Sequence, residues 1–220
     1  MNLTSQVQDL ADAMNDALPR LDASGQAIAI AVYRLLAAGR PVSPSDVAAA
    51  SGQTQDRVDL ALDTWPAVFR DGDGRVVGFW GLTVAEMPRH EILADGVRLW
   101  AWCAWDTLFL PELLDATVQV RSVAPGGEEA IEIRVSPERL ESVAPSGVVV
   151  SFLSPDRPFD SDVITSFCHF VHFFPSRARG EDWVPSHPGT FLLSLAEAFE
   201  LARLSNRRFA TQLRARGPHD

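Results

Sequence analysis

One of the chain's two cysteines sits in "LWAWCAWDTLFLP", residues 99–111. Apart from Cys103 and Asp106, that stretch is dominated by tryptophan, leucine and phenylalanine. Burying a carboxylate among such walls is costly unless it is paired or protonated. Desolvation raises its pKa, which makes Asp106 a candidate proton donor. Cys103, once deprotonated, is a soft metal ligand or a nucleophile. On a helix, positions i and i+3 lie on neighbouring faces, so the two side chains would converge on one small volume. Each residue also has a plain reading. A lone buried cysteine ordinarily packs as a small hydrophobe, and an aspartate late in a helix can face solvent.

The second cysteine lies in "ITSFCHFVHFFPS". As a strand, this segment would place Cys168, Phe170 and His172 on one face and Phe167, His169 and Val171 on the other. Zinc could draw on both thiols plus His169 or His172, but a short Cys-x-x-Cys pair is missing and the zinc signal is weak. Histidines in such a setting more often make one hydrogen bond in the core. Two separated thiols suit a soft cation of low coordination number, such as Hg(II), by extension of the softness rule.

The elements that must position these groups read as α+β. Apolar residues at helical spacing predict a helix over 7–18 and another over 26–38, closed by Gly39. "SPSDVAAASG" predicts a short helix capped by Ser43, with Pro44 and Asp46 in its first turn and Gly52 at its end. A fourth helix starts after Thr54 and turns Val58, Leu62 and Trp65 inward. With the Asp-Gly-Asp-Gly hairpin of "VFRDGDGRVVGFWGLTV", this makes a winged-helix-like region over residues 1–85. Residues 86–220 read as an α+β core of mixed β-sheet and helices that carries both cysteines. In it, 98–110 is predicted as a helix ended by Pro111. "ATVQVRSV" and "IEIRV" form a hairpin, "GVVVSFL" is a buried strand and "SFCHFVHFF" a further strand. A last helix over 190–213 buries Leu193, Ala196, Phe199, Leu204 and Phe209. The polar tail RARGPHD is predicted to be disordered.

Size and charge narrow the function classes. A chain of 220 residues buries roughly 70 % of its unfolded surface, enough for a core without disulfide or metal staples. The net charge of −10 opposes nonspecific binding to nucleic acid or anionic membrane. Residues 40–70 hold Arg40, Arg57 and Arg70 against Asp46, Asp56, Asp59 and Asp63, a poor surface for a DNA reader. No apolar run reaches the ~20 residues of a membrane span, and the first residues lack the pattern of a signal peptide. The cytoplasm is the expected compartment, where both thiols stay reduced. No organic-cofactor motif is visible, neither GxGxxG nor GxxxxGK[ST].

"RLWAWCAWDTLFLPELL", "SFCHFVHFF", "EDWVPSHPG" and "EAFELARLSNRRF" together resemble the organomercurial (alkylmercury) lyases, over about residues 75–212. The resemblance implies protonolysis of a carbon–mercury bond to give a hydrocarbon and Hg(II). It implies two cysteines and one aspartate as the working groups, which match Cys103, Cys168 and Asp106. The mercury they hold is that of substrate or product. It also implies low-molecular-weight thiols for product release and a mercuric reductase as partner. Many relatives carry two adjacent cysteines after Ser-Phe, whereas here Cys168 is followed by His169, a departure that bears on mercury release and inhibition by other metals and not on the core chemistry. The competing reading is a non-catalytic soft-metal sensor with a winged-helix module, which leaves Asp106 without a task. A third, a thiol–disulfide enzyme, lacks the Cys-x-x-Cys motif.

Overall fold

A computed structural model describes residues 3–210 and 213; the tail predicted to be disordered, residues 214–220, lies outside them. Four helices come first: α1 (Leu3–Ala17), α2 (Ala23–Leu36), α3 (Pro44–Ser51) and α4 (Gln55–Thr64). Their boundaries follow local chemistry. Asp22 caps α2 by accepting from Gly25 N at 2.7 Å. Ser43 and Asp46 form a reciprocal capping box on α3, with Pro44 at its start and Gly52 left-handed at its end. Thr54 precedes α4 without a side-chain cap bond. Val7, Leu10 and Met14 of α1 and Ile28, Val32 and Leu36 of α2 form the apolar faces.

A hairpin of β1 (Val68–Arg70) and β2 (Val76–Phe79) follows, then β3 (Leu82–Thr83), β4 (His90–Ala94) and β5 (Val97–Ala101). Next come α5 (Asp106–Leu114), β6 (Val118–Val123), β7 (Ala130–Val135), β8 (Leu140–Ala144) and β9 (Val149–Phe152). The chain ends through α6 (Val163–Ser166), β10 (Phe173–Phe174), α7 (Arg177–Trp183), β11 (Phe191–Ser194) and α8 (Leu195–Asn206). Eight strands form one antiparallel sheet in the order β1-β2-β3-β5-β4-β6-β7-β8, and β10-β9-β11 form a second. The large sheet therefore runs without a break from the N-terminal hairpin into the strands that follow residue 85. In β6 and β7, inward Val118, Val120, Ile131 and Ile133 alternate with outward Gln119, Arg121, Glu132 and Arg134, the pattern of a sheet with one wet face.

Three sequence expectations are corrected. Residues 98–110 are not one helix: the run stays extended to Ala101, turns over 102–105 and becomes helical at Asp106. Leu99 and Ala101 point inward, Arg98 and Trp100 lie toward the other side, and β5 is bonded to both β3 and β4. Apolar runs of this length do not distinguish a buried strand from a buried helix, and the ladder decides. Pro111 lies inside α5, which ends instead at left-handed Asp115.

"SFCHFVHFF" is not a strand either. It is the end of α6, a single 3₁₀ turn over Cys168–Phe170, and only two residues of strand. Ser151 Oγ donates to Phe170 O and accepts from His172 N, which holds the turn against β9. Finally, 190–194 is strand β11 paired with β9, and the helix starts at Leu195. Ser194 and Glu197 form its capping box, an S-x-x-E pattern within the sequence. Ala196 is consequently exposed and Ala198 takes the buried place.

Candidate active site

The turn between β5 and α5 carries Cys103 and is pinned on three sides. Trp102 N donates to Gly81 O, Ala104 N to Val171 O, and the Trp105 indole to Ala198 O. The second of these bonds joins the turn to the segment that follows Cys168. Cys103, Asp106 and Cys168 therefore meet although one is far from the others in sequence. The two Sγ atoms and a carboxylate oxygen all lie within 4.8 Å of one another, and all three residues are buried. Among the described residues this is the grouping of His, Cys, Asp and Glu that could hold a metal ion. His169 is exposed, and His172 bonds His169 O through its ring, so neither histidine joins the thiols. Both cysteines are free thiols.

Asp106 reaches the site by a local device different from the expected helical i, i+3 pairing. Its Oδ2 accepts from Cys103 N at 2.8 Å, reaching back across the turn as the acid of a capping box does. Asp106 is also in the first turn of α5, where a carboxylate is favoured by the helix dipole. On its other side stands Gly81. A Cβ there would come within 2.7 Å of Asp106 Cγ and 2.8 Å of Oδ1. Gly81 has φ +94°, and with Trp80 at φ +34° it forms the two-residue turn between β2 and β3. Glycine is thus required twice, by the turn and by the carboxylate. The Trp80–Gly81 turn was not among the residues singled out from sequence, because Trp-Gly is not one of the dipeptides that ordinarily mark a two-residue hairpin.

A cavity adjoins this cluster, lined by Asp106 and Cys168 together with Trp80, Trp102, Trp105, Phe109, Phe159 and Phe167. Met14 and Leu18 of the N-terminal segment, Tyr33 of α2, and Pro66 and Ala67 also line it. The N-terminal helices are accordingly a wall of the cavity. About 60 Å³ is open to water-sized groups, against about 10–15 Å³ for one water, so a heavy ion with a small organic group has room.

Burial governs the ionisation of the three groups. It lifts Asp106 to about 7, against the opposing pull of the Cys103 thiol and N–H. It pushes the Cys103 thiol well above its ordinary range, helped by the Cys168 thiol and the Asp106 charge. For Cys168 the neighbouring Cys103 thiol acts downward, but burial and the Asp106 charge outweigh it and the net shift is upward. Near neutral pH the thiols are protonated, and Asp106 is poised between its two states.

The chain is similar to known proteins over most of its length. A family model described as alkylmercury lyase matches residues 82–205, and one described as the helix-turn-helix domain of alkylmercury lyase matches residues 9–80. The chain belongs to the alkylmercury lyase family. It is 41% identical over 178 residues to an alkylmercury lyase of Staphylococcus epidermidis, covering 81% of each chain. To the alkylmercury lyase of Bacillus cereus it is 41% identical over 186 residues, 84% of each chain. To that of Pseudomonas putida it is 38% identical over 175 residues, 80% of this chain and 81% of the relative. The fold is shared with the crystal structure of the mercury-bound form of MerB2, at TM-score 0.73 and 21% identity over 93% of this chain and 99% of that one. The winged-helix-like N-terminus and the α+β core expected from sequence are thus those of the alkylmercury lyase family. Among the described residues no helix is long and apolar enough to cross a membrane.

Proposed function

We propose that the chain is an organomercurial lyase that cleaves carbon–mercury bonds by protonolysis, with Cys103 and Cys168 as mercury ligands and Asp106 as the proton carrier. The observation that carries this reading is the convergence of two thiols and one carboxyl group within 4.8 Å beside an aromatic cavity. A bond from sulfur to a d¹⁰ divalent ion is about 2.3 Å for zinc. Two such bonds end to end span about 4.6 Å, and the sulfurs lie within 4.8 Å of each other.

Cys168 lines the cavity and Cys103 lies behind it, fully buried. Cys168 therefore meets the incoming mercurial first. Its sulfur bonds mercury, and the ligand that mercury carried leaves with the thiol proton. The Asp106 carboxylate then takes the proton of Cys103, whose sulfur becomes the second ligand. Donation from two sulfurs raises electron density on the mercury-bound carbon. The electron pair of the carbon–mercury bond accepts the proton from Asp106, and the hydrocarbon departs. Mercury stays Hg(II) on two sulfurs, and Asp106 returns to carboxylate. Two small thiols displace the ion, restoring a proton to each cysteine, and a mercuric reductase is the fitting consumer. A carboxyl group poised near neutrality serves both proton transfers. The aromatic walls exclude water and receive alkyl or aryl groups without strict shape demands.

The N-terminal helices are read as part of this enzyme's cavity and not as a nucleic-acid surface, since Arg57 is paired with Asp22 and Arg70 with Asp63. Incubation with phenylmercury acetate and excess thiol tests the function. Benzene detected by gas chromatography is the expected product. Tight mercurial binding with no benzene would instead favour a non-catalytic mercury-binding protein.

A further inference from the structure

Protonolysis uses Cys103, Asp106 and Cys168 and leaves two polar side chains of the same cavity without a task. Ser205, near the end of α8, and Arg208, in the turn after it, both line the cavity. Three residues apart on a helical run, they are close neighbours. Ser205 Oγ is buried with no hydrogen-bond partner. A helical serine ordinarily returns its hydroxyl to a carbonyl of the preceding turn; this one does not. Arg208 Nη1 is also buried without a partner. Its Nη2 donates to Pro19 O, and the guanidinium lies 5.2 Å from the centroids of the Trp80 and Phe209 rings. Burial lowers its pKa to about 10, opposed by Tyr33, so it remains cationic at neutral pH. Among the described residues no carboxylate forms an ion pair with it.

A largely buried cation with unspent donors and no counter-charge is costly. A planar anion relieves that cost, and the guanidinium geometry matches carboxylate oxygens. Resting on the organomercurial reading above, we propose that Ser205 and Arg208 form a carboxylate-binding subsite of the substrate cavity, selecting mercurials that carry a carboxylate. That carboxylate has two sources: the organic group itself, or a thiol that mercury brings with it.

The test compares kcat/KM for 4-carboxyphenylmercury and phenylmercury, both with 2-mercaptoethanol, and for phenylmercury with 3-mercaptopropionate in place of 2-mercaptoethanol. The full chain is measured beside Arg208→Met, Arg208→Lys and Ser205→Ala. The unmodified chain should favour the carboxylate-bearing member of a pair by about tenfold, the effect of one charge-assisted hydrogen bond. Preference within the aryl pair assigns the carboxylate to the organic group, and preference within the thiol pair to the carried thiol. Arg208→Met should erase the preference, Arg208→Lys should keep part of it, and Ser205→Ala should reduce it about threefold. No preference in either pair overturns the subsite, as does a preference that survives Arg208→Met. An equal loss on all substrates also overturns it, since Arg208 would then only brace Trp80 and Pro19. Should Arg208→Met not fold, Arg208→Lys and Ser205→Ala carry the same comparison. Quenching of tryptophan fluorescence by the two arylmercurials gives the preference as binding. With that readout, failure of the subsite is distinct from failure of catalysis, which would appear as no benzene from any mercurial.

Discussion

Cys103, Asp106 and Cys168 are buried beside a cavity, whereas His90, Ser122 and His172 are buried within packed rings. In the second cluster, His90 Nδ1 and Ser122 Oγ are 2.9 Å apart, and His172 Nε2 bonds His169 O. Phe173 packs against His90, while Trp183 and Phe174 pack against His172. Burial penalises the charged form in both places, with opposite consequences. It drives His90 down to about 3 and His172 to about 4, so both rings are firmly neutral at physiological pH. It lifts Asp106 to about 7, where proton gain and loss are both easy. Burial alone is therefore no sign of chemistry. A group poised near neutrality, next to soft ligands and open space, is one.

Removing a thiol should have the largest effect. Cys103→Ala or Cys168→Ala should each reduce benzene release to background, because the acceptor carbon is not activated by one sulfur. A single variant that keeps more than about a tenth of the activity would break the two-sulfur side of the comparison. Asp106→Asn comes next. It should still bind mercurial but lose about 10²–10⁴-fold in hydrocarbon release, the usual contribution of a proton carrier.

The same substitution reports on stability. Asp106 titrates near 3.8 unfolded and near 7 folded, so its favourable contribution is complete below pH 3.8 and is lost as pH rises through 7. The melting temperature of Asp106→Asn relative to the unmodified chain should therefore be higher at pH 8 than at pH 4. Gly81→Ala should displace the carboxyl group, and a misplacement near 1 Å costs about a hundredfold in rate. Unchanged turnover would mean that the Trp80–Gly81 turn does not seat Asp106.

The histidine cluster should respond in stability only. Its pKa values are depressed on folding, so its contribution is held above about pH 6.5 and lost as pH falls toward 3–4. His90→Asn should shift acid unfolding to lower pH, while exposed His169→Ala should change turnover by less than about twofold. A collapse of activity in either would bring the histidines into the chemistry and erase the contrast between the two regions.

The sequence made some of this visible and hid the rest for identifiable reasons. Ser43, Pro44, Asp46 and Gly52 specify α3 through contacts within ten residues, and the Asp71–Gly74 hairpin is equally local. Cys103, Asp106 and Cys168 were conspicuous as sparse chemical groups among apolar ones. Their geometry was not. The turn at Trp102–Trp105 depends on Gly81, Val171 and Ala198, partners distant in the chain, and helical spacing alone gave the wrong element. Cys168 lies in a 3₁₀ turn because Ser151 captures the backbone around it, a contact that no periodicity reveals. Arg208 reads as one more charge in a basic terminal stretch until the fold sets it against Trp80.

The most direct test of proton delivery by Asp106 is a single turnover of phenylmercury in D₂O, with the isotope content and rate of benzene release measured for the unmodified chain and for Asp106→Asn. The account predicts benzene carrying one deuterium from the former and at least a hundredfold slower release from the latter. Benzene without deuterium, or equal rates from the two chains, would contradict it.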